Sequence, residues 1–130
     1  MAYYVDTSAL VKMIVYEQET NALSGWLLQQ DEPLVCCDLV RAELVRATRR
    51  RHSDRVVRAR QVLEAIVLTR LTPAILDHAG RLDPIGMTTL DAVHMAAALD
   101  LGDDLSGLVT YDDRLAAAAE ANGVAVLAPQ

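Results

Sequence analysis

The sequence predicts an α/β fold in which about seven helices cover a mostly parallel sheet of four or five strands. Short apolar segments typical of buried strands alternate with stretches whose apolar residues recur at helical spacing. The chain has 130 residues, 52% of them hydrophobic, and this length suits one sizeable core. Because Phe is absent and aromatic residues make up only 4% of the chain, aliphatic side chains must fill that core. We expect a single domain over residues 1–130.

The first half of the chain predicts two strands and four helices. Residues 2–5 form an apolar run that ends at Asp6, after which Thr7 or Ser8 is expected to cap a helix. Helical spacing continues to about residue 15, and a second helix follows a turn at residues 17–19. Residues 34–37 predict a buried strand. We expect Asp38 to cap the third helix, which runs to about residue 52, and Ser53 or Asp54 to cap the fourth.

The second half repeats the alternation. Residues 67–71 predict a strand, and Thr72 followed by proline predicts the start of a helix. Residues 83–86 predict a turn, and Thr88 or Thr89 is expected to cap a helix over 90–101. A strand at 107–110, a helix at 112–121 and a last strand at 124–127 complete the pattern. Such an order implies a sheet with helices on both faces.

Four acids fall where this fold would gather them: Asp6, Glu43, Asp91 and Asp112. Two directly follow predicted strands and two lie on the first turns of predicted helices, and functional groups in open α/β sheets collect beyond the carboxyl ends of the strands. Each acid alone is explained as a cap or an exposed residue. Four together would repel one another, a cost that a bound cation removes. Oxygen ligands without a cysteine pair indicate a hard ion, Mg²⁺ or Mn²⁺.

The segments around these acids are Tyr4–Leu10, Arg41–Arg46, Leu90–His94 and Val109–Leu115. In order and spacing they resemble the PIN-domain nucleases, most closely the VapC-type toxins of toxin–antitoxin pairs, over essentially the whole chain. The resemblance implies a PIN-like three-layer fold and a metal-dependent endoribonuclease that hydrolyses RNA phosphodiester bonds. Whether one ion or two would take part is left open.

The resemblance also assigns residues and partners. Asp6, Glu43 and Asp91 match the three core acids, and Asp112 matches a more variable fourth, for which the adjacent Asp113 is an alternative. Hydroxyl positions that would orient the acids or hold water are matched by Thr7, Ser8 and Thr110. The implied partners are an RNA substrate, a VapB-type antitoxin and a second copy of the chain in a homodimer. A cytoplasmic location without membrane contact is expected, because the chain has no long apolar run and no secretion signal.

Charge is distributed unevenly along the chain. The formal net charge is −6, yet eight of the twelve basic residues lie between positions 41 and 60. Some of Arg46, Arg49 and Arg50 are predicted to contact RNA, although arginine-rich helices are also common merely as solvated surfaces. Arg46 lies one turn from Glu43 and could instead pair with an acid of the cluster.

Three further features bear on the alternatives. His94 lies one turn after Asp91, but its apolar neighbours predict a packed, hydrogen-bonded histidine and not a ligand. Cys36 and Cys37 are adjacent, so no mutual disulfide is expected, and their spacing matches no zinc motif. Lys12 is the only lysine, which disfavours a receiver-like signalling domain. A catalytically silent PIN-like module that binds RNA or an antitoxin remains the alternative function.

Overall fold

The computed structural model describes all 130 residues and contains one five-stranded parallel sheet. The strands are Ala2–Val5 (β1), Leu34–Cys37 (β2), Val67–Thr69 (β3), Leu105–Val109 (β4) and Val126–Leu127 (β5). Their order across the sheet is β3-β2-β1-β4-β5, and every neighbouring pair is parallel. The predicted parallel sheet is therefore confirmed. The winding direction reverses between β1 and β4, and such a switch point opens a crevice beyond the strand ends.

Seven α-helices connect and cover the strands, as predicted. They are Thr7–Val11 (α1), Thr20–Gln29 (α2), Val40–Arg51 (α3), Val56–Ala65 (α4), Pro73–Arg81 (α5), Thr89–Leu99 (α6) and Asp113–Ala121 (α7). Short 3-10 turns lie at Ser53–Arg55 and Gly102–Asp104. None of the helices is long and apolar enough to cross a membrane.

The core is aliphatic except for Tyr4, which is fully buried in the central strand. Its other large members are leucines, valines, isoleucine and methionine from the sheet and helices. Helix α6 is buried at seven consecutive positions, 92–98, and contacts β2, β4, α5 and α7. A helix that is apolar all round is expected in such a central position. Its four alanines in this run let the sheet and the neighbouring helices approach closely.

Several helix starts differ from the sequence predictions. The N-cap of α1 is Asp6 itself, whose side chain accepts a hydrogen bond from the Ala9 amide, so the prediction of Thr7 or Ser8 was wrong. The predicted cap at Asp38 was also wrong, because α3 starts after Leu39 without a side-chain cap. Thr72 and Thr88 do cap α5 and α6 as predicted. An aspartate accepts as well as a hydroxyl, so the first acceptor after β1 takes the cap.

Other boundaries also differ from the sequence predictions. Helix α1 ends at Val11 and not near residue 15, because the amides of residues 12–14 bond to carbonyls three residues back; the Ile14 carbonyl accepts from Arg55 Nε and Nη2 at 3.2 and 2.8 Å. Neither Ser53 nor Asp54 caps α4, which instead follows a 3-10 turn. The third strand is shorter than predicted by two residues and the fifth begins two residues later. Both are the edge strands of the sheet, where pairing is available on one side only.

Candidate metal centre

Asp6 is the best-held acid of the molecule. It follows β1 directly, caps α1 and is 5% exposed. Its Oδ1 accepts hydrogen bonds from Ser8 Oγ at 2.7 Å and from the Ala9 amide at 3.3 Å, and its Oδ2 accepts from Thr110 Oγ1 at 2.8 Å. Burial raises the pKa of Asp6, although these hydrogen bonds act in the opposite direction. The carboxylate is therefore fixed at both oxygens in a site that disfavours an uncompensated charge.

Two hydroxyls join the end of β4 to the start of α1. Ser8 Oγ accepts from the Tyr111 amide at 2.9 Å, and Thr110 Oγ1 accepts from the Asp112 amide at 3.1 Å. The two hydroxyl oxygens lie 3.3 Å apart. This link spans the switch point of the sheet and brings the loop carrying Asp112 beside Asp6.

Glu43 reaches the same edge from the first turn of α3. Its side chain is 22% exposed, and its Oε1 accepts hydrogen bonds from Thr7 Oγ1 at 3.2 Å and from His94 Nε2 at 2.5 Å. The second oxygen, Oε2, has no hydrogen-bonding partner in the protein. Thr7, Ser8 and Thr110 thus each contact an acid, which is the arrangement the resemblance implied for these hydroxyls.

His94 connects Glu43 to the core. The ring is 3% exposed, and its Nδ1 is hydrogen-bonded to the Tyr4 hydroxyl at 2.8 Å. The sequence prediction of a packed, hydrogen-bonded histidine is therefore confirmed. Burial opposes a charge on the ring, but the hydrogen bonds to Cys37 and Glu43 outweigh it and raise the pKa of His94.

Asp91 and Asp112 complete the edge. Asp91 lies on the first turn of α6, where its amide donates to the capping hydroxyl of Thr88 at 3.2 Å. Burial, followed by the nearby Asp112 carboxylate, raises the pKa of Asp91, and Glu43 contributes in the same direction. Asp112 caps α7 by accepting from the amides of residues 114 and 115 through Oδ1. The exposed Asp113 makes no side-chain hydrogen bond.

Three arginines of α3 line an open depression of their own. They are Arg46, Arg49 and Arg50, all three are exposed, and the depression has a volume of about 220 Å³. None of them forms an ion pair, so the alternative in which Arg46 pairs with an acid of the cluster was wrong. The basic surface therefore remains available to a polyanion.

A second depression, of about 430 Å³, is lined by basic residues together with Asp112. Its walls include Ser8 and Asp112 on one side and Arg50, Arg51 and His52 at the end of α3 on the other. Sequence reasoning did not assign Arg51 and His52 to the site. Arg51 and His52 lie beside α1 because of the turn that ends α3, and no periodic pattern in the sequence predicts that turn.

A third depression adjoins Asp91. It has a volume of about 270 Å³ and is lined by residues of the 84–88 turn together with Asp91 and Arg114. Arg114 was also missed from the sequence, because an isolated arginine on the first turn of a helix carries no signal. Asp112 and Asp91 thus each line a hollow that also contains an arginine.

The sequence is similar to known proteins over nearly its whole length. A family model described as the PIN domain matches residues 3–121. Ribonuclease VapC46 of Mycobacterium tuberculosis is 43% identical over 128 residues, which cover 98% of both chains. Ribonuclease VapC47 of the same species is 35% identical over 130 residues, covering 97% of this chain and 96% of the relative.

Solved structures share the fold. The crystal structure of VapC20 from Mycobacterium tuberculosis, described as a toxin that cleaves the sarcin–ricin loop, superposes with a TM-score of 0.78 at 16% identity and covers 98% of this chain and 99% of that one. VapBC2 of Rickettsia felis, bound to a DNA fragment from its promoter, superposes with a TM-score of 0.74 at 14% identity over 100% of both chains. The family-model match and the 43% identical relative show that this chain belongs to the PIN-domain family, among its VapC members.

Proposed function

We propose that the protein is a divalent-metal-dependent endoribonuclease and the toxin of a toxin–antitoxin pair, acting as a single PIN-like domain. The observation that carries this proposal is the buried Asp6 carboxylate, held at both oxygens beside Glu43, Asp91 and Asp112. Relatives spanning nearly the whole chain are named ribonucleases. The alternative, a silent module that binds RNA or an antitoxin, explains Asp6 and Asp112 as helix caps but gives no role to Glu43 and Asp91 near them.

The residues present fit a hard divalent cation. All four side chains offer oxygen, and Glu43 Oε2 is free of protein hydrogen bonds, but no three of the four acids have ligand oxygens within 4.8 Å of one another, so an ion would have to draw them together. Burial raises the pKa of Asp6, and burial together with repulsion from Asp112 and Glu43 raises the pKa of Asp91; a cation among the acids would remove that cost. We infer that the ion is Mg²⁺ or Mn²⁺, because both favour oxygen ligands. When bound, it would supply a nucleophile at neutral pH and neutralise charge on the phosphate oxygens.

The chain's own residues would do the positioning. Ser8 and Thr110 hold the Asp6 carboxylate, and Thr7 holds Glu43. We propose Asp112 as the fourth acid, because it is Asp112 whose charge acts on Asp91. Asp113 would add negative charge at the rim only.

We propose that RNA crosses the acids between the depression lined by Asp112 and the depression lined by Asp91. Arg50, Arg51 and His52 line the hollow beside Asp112, and Arg114 lines the hollow beside Asp91. We propose that phosphates on either side of the cut bond contact these cations, with Arg46 and Arg49 extending the contact along α3. An acidic protein would thereby bind a polyanion through one local basic track.

The proposed toxin function also implies protein partners. Exposed apolar side chains on α2 and α4, including Leu28 at 88% and Val57 at 68%, would receive an amphipathic segment of a VapB-type antitoxin. A solved relative is a toxin–antitoxin complex from Klebsiella pneumoniae. We also propose a homodimer, and a cytoplasmic location because that is where the RNA substrates are.

The test is RNA cleavage by the purified protein, with Asp6→Asn as the key variant. Asn retains the capping oxygen, so the fold should persist while a cation ligand is lost. We expect wild-type cleavage with Mg²⁺ or Mn²⁺, none with EDTA, and none by Asp6→Asn. Asp103→Asn, which changes an exposed acid in the 3-10 turn before β4, is the matched control and should cleave normally.

The silent-module alternative makes the opposite prediction. A bound divalent ion stabilises the folded state by about 1.4 kcal/mol at ten times its Kd. Wild-type protein that shows neither this stabilisation in thermal melting nor any cut RNA would refute the nuclease proposal.

A further inference from the structure

Behind Glu43, on the core side of His94, two thiols and an imidazole nitrogen converge. Cys36 Sγ and Cys37 Sγ lie 4.0 and 3.8 Å from His94 Nδ1, and the three atoms are all within 4.8 Å of one another. Both cysteines are free and 0% exposed. Adjacent strand residues were expected to point apart, but these lie at the end of β2, where both sulfurs reach the same ring.

The spacing of these atoms is close to that of a tetrahedral thiolate site. Zinc binds sulfur at about 2.3 Å and histidine nitrogen at about 2.0–2.1 Å, so tetrahedral angles place sulfur and nitrogen about 3.6 Å apart and two sulfurs about 3.8 Å apart. The observed sulfur–nitrogen distances of 3.8 and 4.0 Å exceed this by a few tenths of an ångström. Small side-chain movements would therefore bring all three donors to coordination distance.

An independent observation comes from the other side of the imidazole ring. His94 Nε2 donates to Glu43 Oε1, and this leaves Nδ1 as the nitrogen that faces the sulfurs. Histidines that bind metals usually donate their second nitrogen to a carboxylate, which fixes the tautomer and the ring orientation. The Tyr4 hydroxyl, 2.8 Å from Nδ1, is the nearest oxygen for a fourth position.

We propose that Cys36, Cys37 and His94 form a second cation site, specific for a thiophilic divalent ion of the Zn²⁺ class. Its sulfur and nitrogen donors separate it chemically from the four carboxylates, which suit a hard ion. Coordination would release thiol protons and depend on local opening, because the donors are buried. The site shares His94 with Glu43, so occupancy would shift the hydrogen bond to this acid. Through Glu43, occupancy would alter RNA cleavage. That effect rests on the proposed nuclease function, whereas the binding of the thiophilic ion does not.

The direct test is a Cd²⁺ titration of the whole protein in a non-thiol reductant, with excess Mg²⁺ to occupy the carboxylates. We expect an ultraviolet thiolate-to-cadmium band that saturates at one ion per chain and is removed by competing Zn²⁺. Cys36→Ser and Cys37→Ser should each lose most of the band. Asp6→Asn is the matched control and should keep it, because Asp6 contributes only to the carboxylate site.

The wild-type result decides the proposal even if a serine variant fails to fold. Absence of the band after prolonged equilibration, or a band unchanged in both serine variants, would overturn the site and leave the pair as core thiols. Where RNA cleavage is measurable, one equivalent of Cd²⁺ should inhibit the wild type and spare Cys37→Ser. A chain that shows the band but cuts no RNA would refute the nuclease proposal and leave the thiol site standing.

Discussion

The hydrogen bonds of His94 allow one prediction to be worked through in detail. The ring links the fully buried Tyr4 to Glu43 through its two nitrogens. His94→Leu keeps a similar volume but removes both hydrogen bonds. The bond to the carboxylate is charge-assisted and worth about 1.5–3 kcal/mol, and the buried Tyr4 hydroxyl left without this partner costs about 1–3 kcal/mol. We therefore expect a loss of about 3–5 kcal/mol in the free energy of unfolding.

This loss is smaller than the total stability expected for the chain. A protein of 130 residues is typically stable by about 7–20 kcal/mol, so His94→Leu should still fold. His94→Gln is the matched variant, because its amide nitrogen lies near the place of Nε2 and can donate to Glu43. We expect Gln to recover roughly half of the lost stability, measured by urea denaturation.

Metal binding and RNA cleavage should follow the same order as stability, with His94→Leu affected more than His94→Gln. Without His94, Glu43 retains only the Thr7 hydroxyl as an orienting partner, and loss of such outer partners typically costs about 10–100-fold in metal affinity or activity. The assays are Mn²⁺ binding by electron paramagnetic resonance and RNA cleavage at saturating metal. If Leu and Gln weaken Mn²⁺ binding equally, or if Leu costs less than about 1 kcal/mol, the ring acts only as core packing and the reasoning fails.

Three further predictions address the basic track, a surface ion pair and the sheet edge. Arg50→Ala should weaken RNA binding and lower the slope of log K against log salt by about 0.7, provided Arg50 contacts one phosphate of a single strand. Lys12 lowers the pKa of Glu19, so the ion pair stabilises the fold at neutral pH and this contribution is lost as pH falls through the lowered pKa. The difference in melting temperature between wild type and Glu19→Gln should accordingly vanish in acid. Gly107→Ala should cost about 1–3 kcal/mol, because its Cβ would lie 3.1 Å from the Ala125 carbonyl oxygen as well as 2.6 Å from the Leu127 side chain, whereas Gly25→Ala in α2 meets no atom and should stabilise by about 0.5–1 kcal/mol.

Periodicity and capping chemistry predicted most of the fold, because those signals are local. Thr72 and Thr88 each place a hydroxyl three residues before an amide that needs a partner, and both act as caps. The limits of α1 and of the edge strands were not predictable in this way. They depend on a change to i→i−3 hydrogen bonds at residues 12–14 and on which strands lie at the sheet margin.

The residues of the candidate site also fall into two groups, those that local sequence signals identify and those whose position only tertiary contacts determine. Asp6 and Asp112 could be selected from sequence because residues that follow parallel strands share one edge of the sheet. The thiol cluster could not, because fifty-seven residues separate Cys37 from His94 and no zinc spacing relates them. Arg51, His52 and Arg114 were missed for a related reason. Their place beside the acids depends on how α3 ends and how α7 begins, which only the packed structure determines.

The positions of the four acids explain how the fold tolerates them before a cation binds. Asp6 and Asp112 are helix N-caps, and Glu43 and Asp91 lie in first turns, so each carboxylate is near the positive end of a helix. Such a position typically stabilises an anion by about 0.3–1 kcal/mol. For Asp6 and Asp91 this is insufficient, since burial still raises the pKa of both. The cost that the helix ends leave uncompensated thus falls on Asp6 and Asp91, and a divalent ion would gain most by binding there.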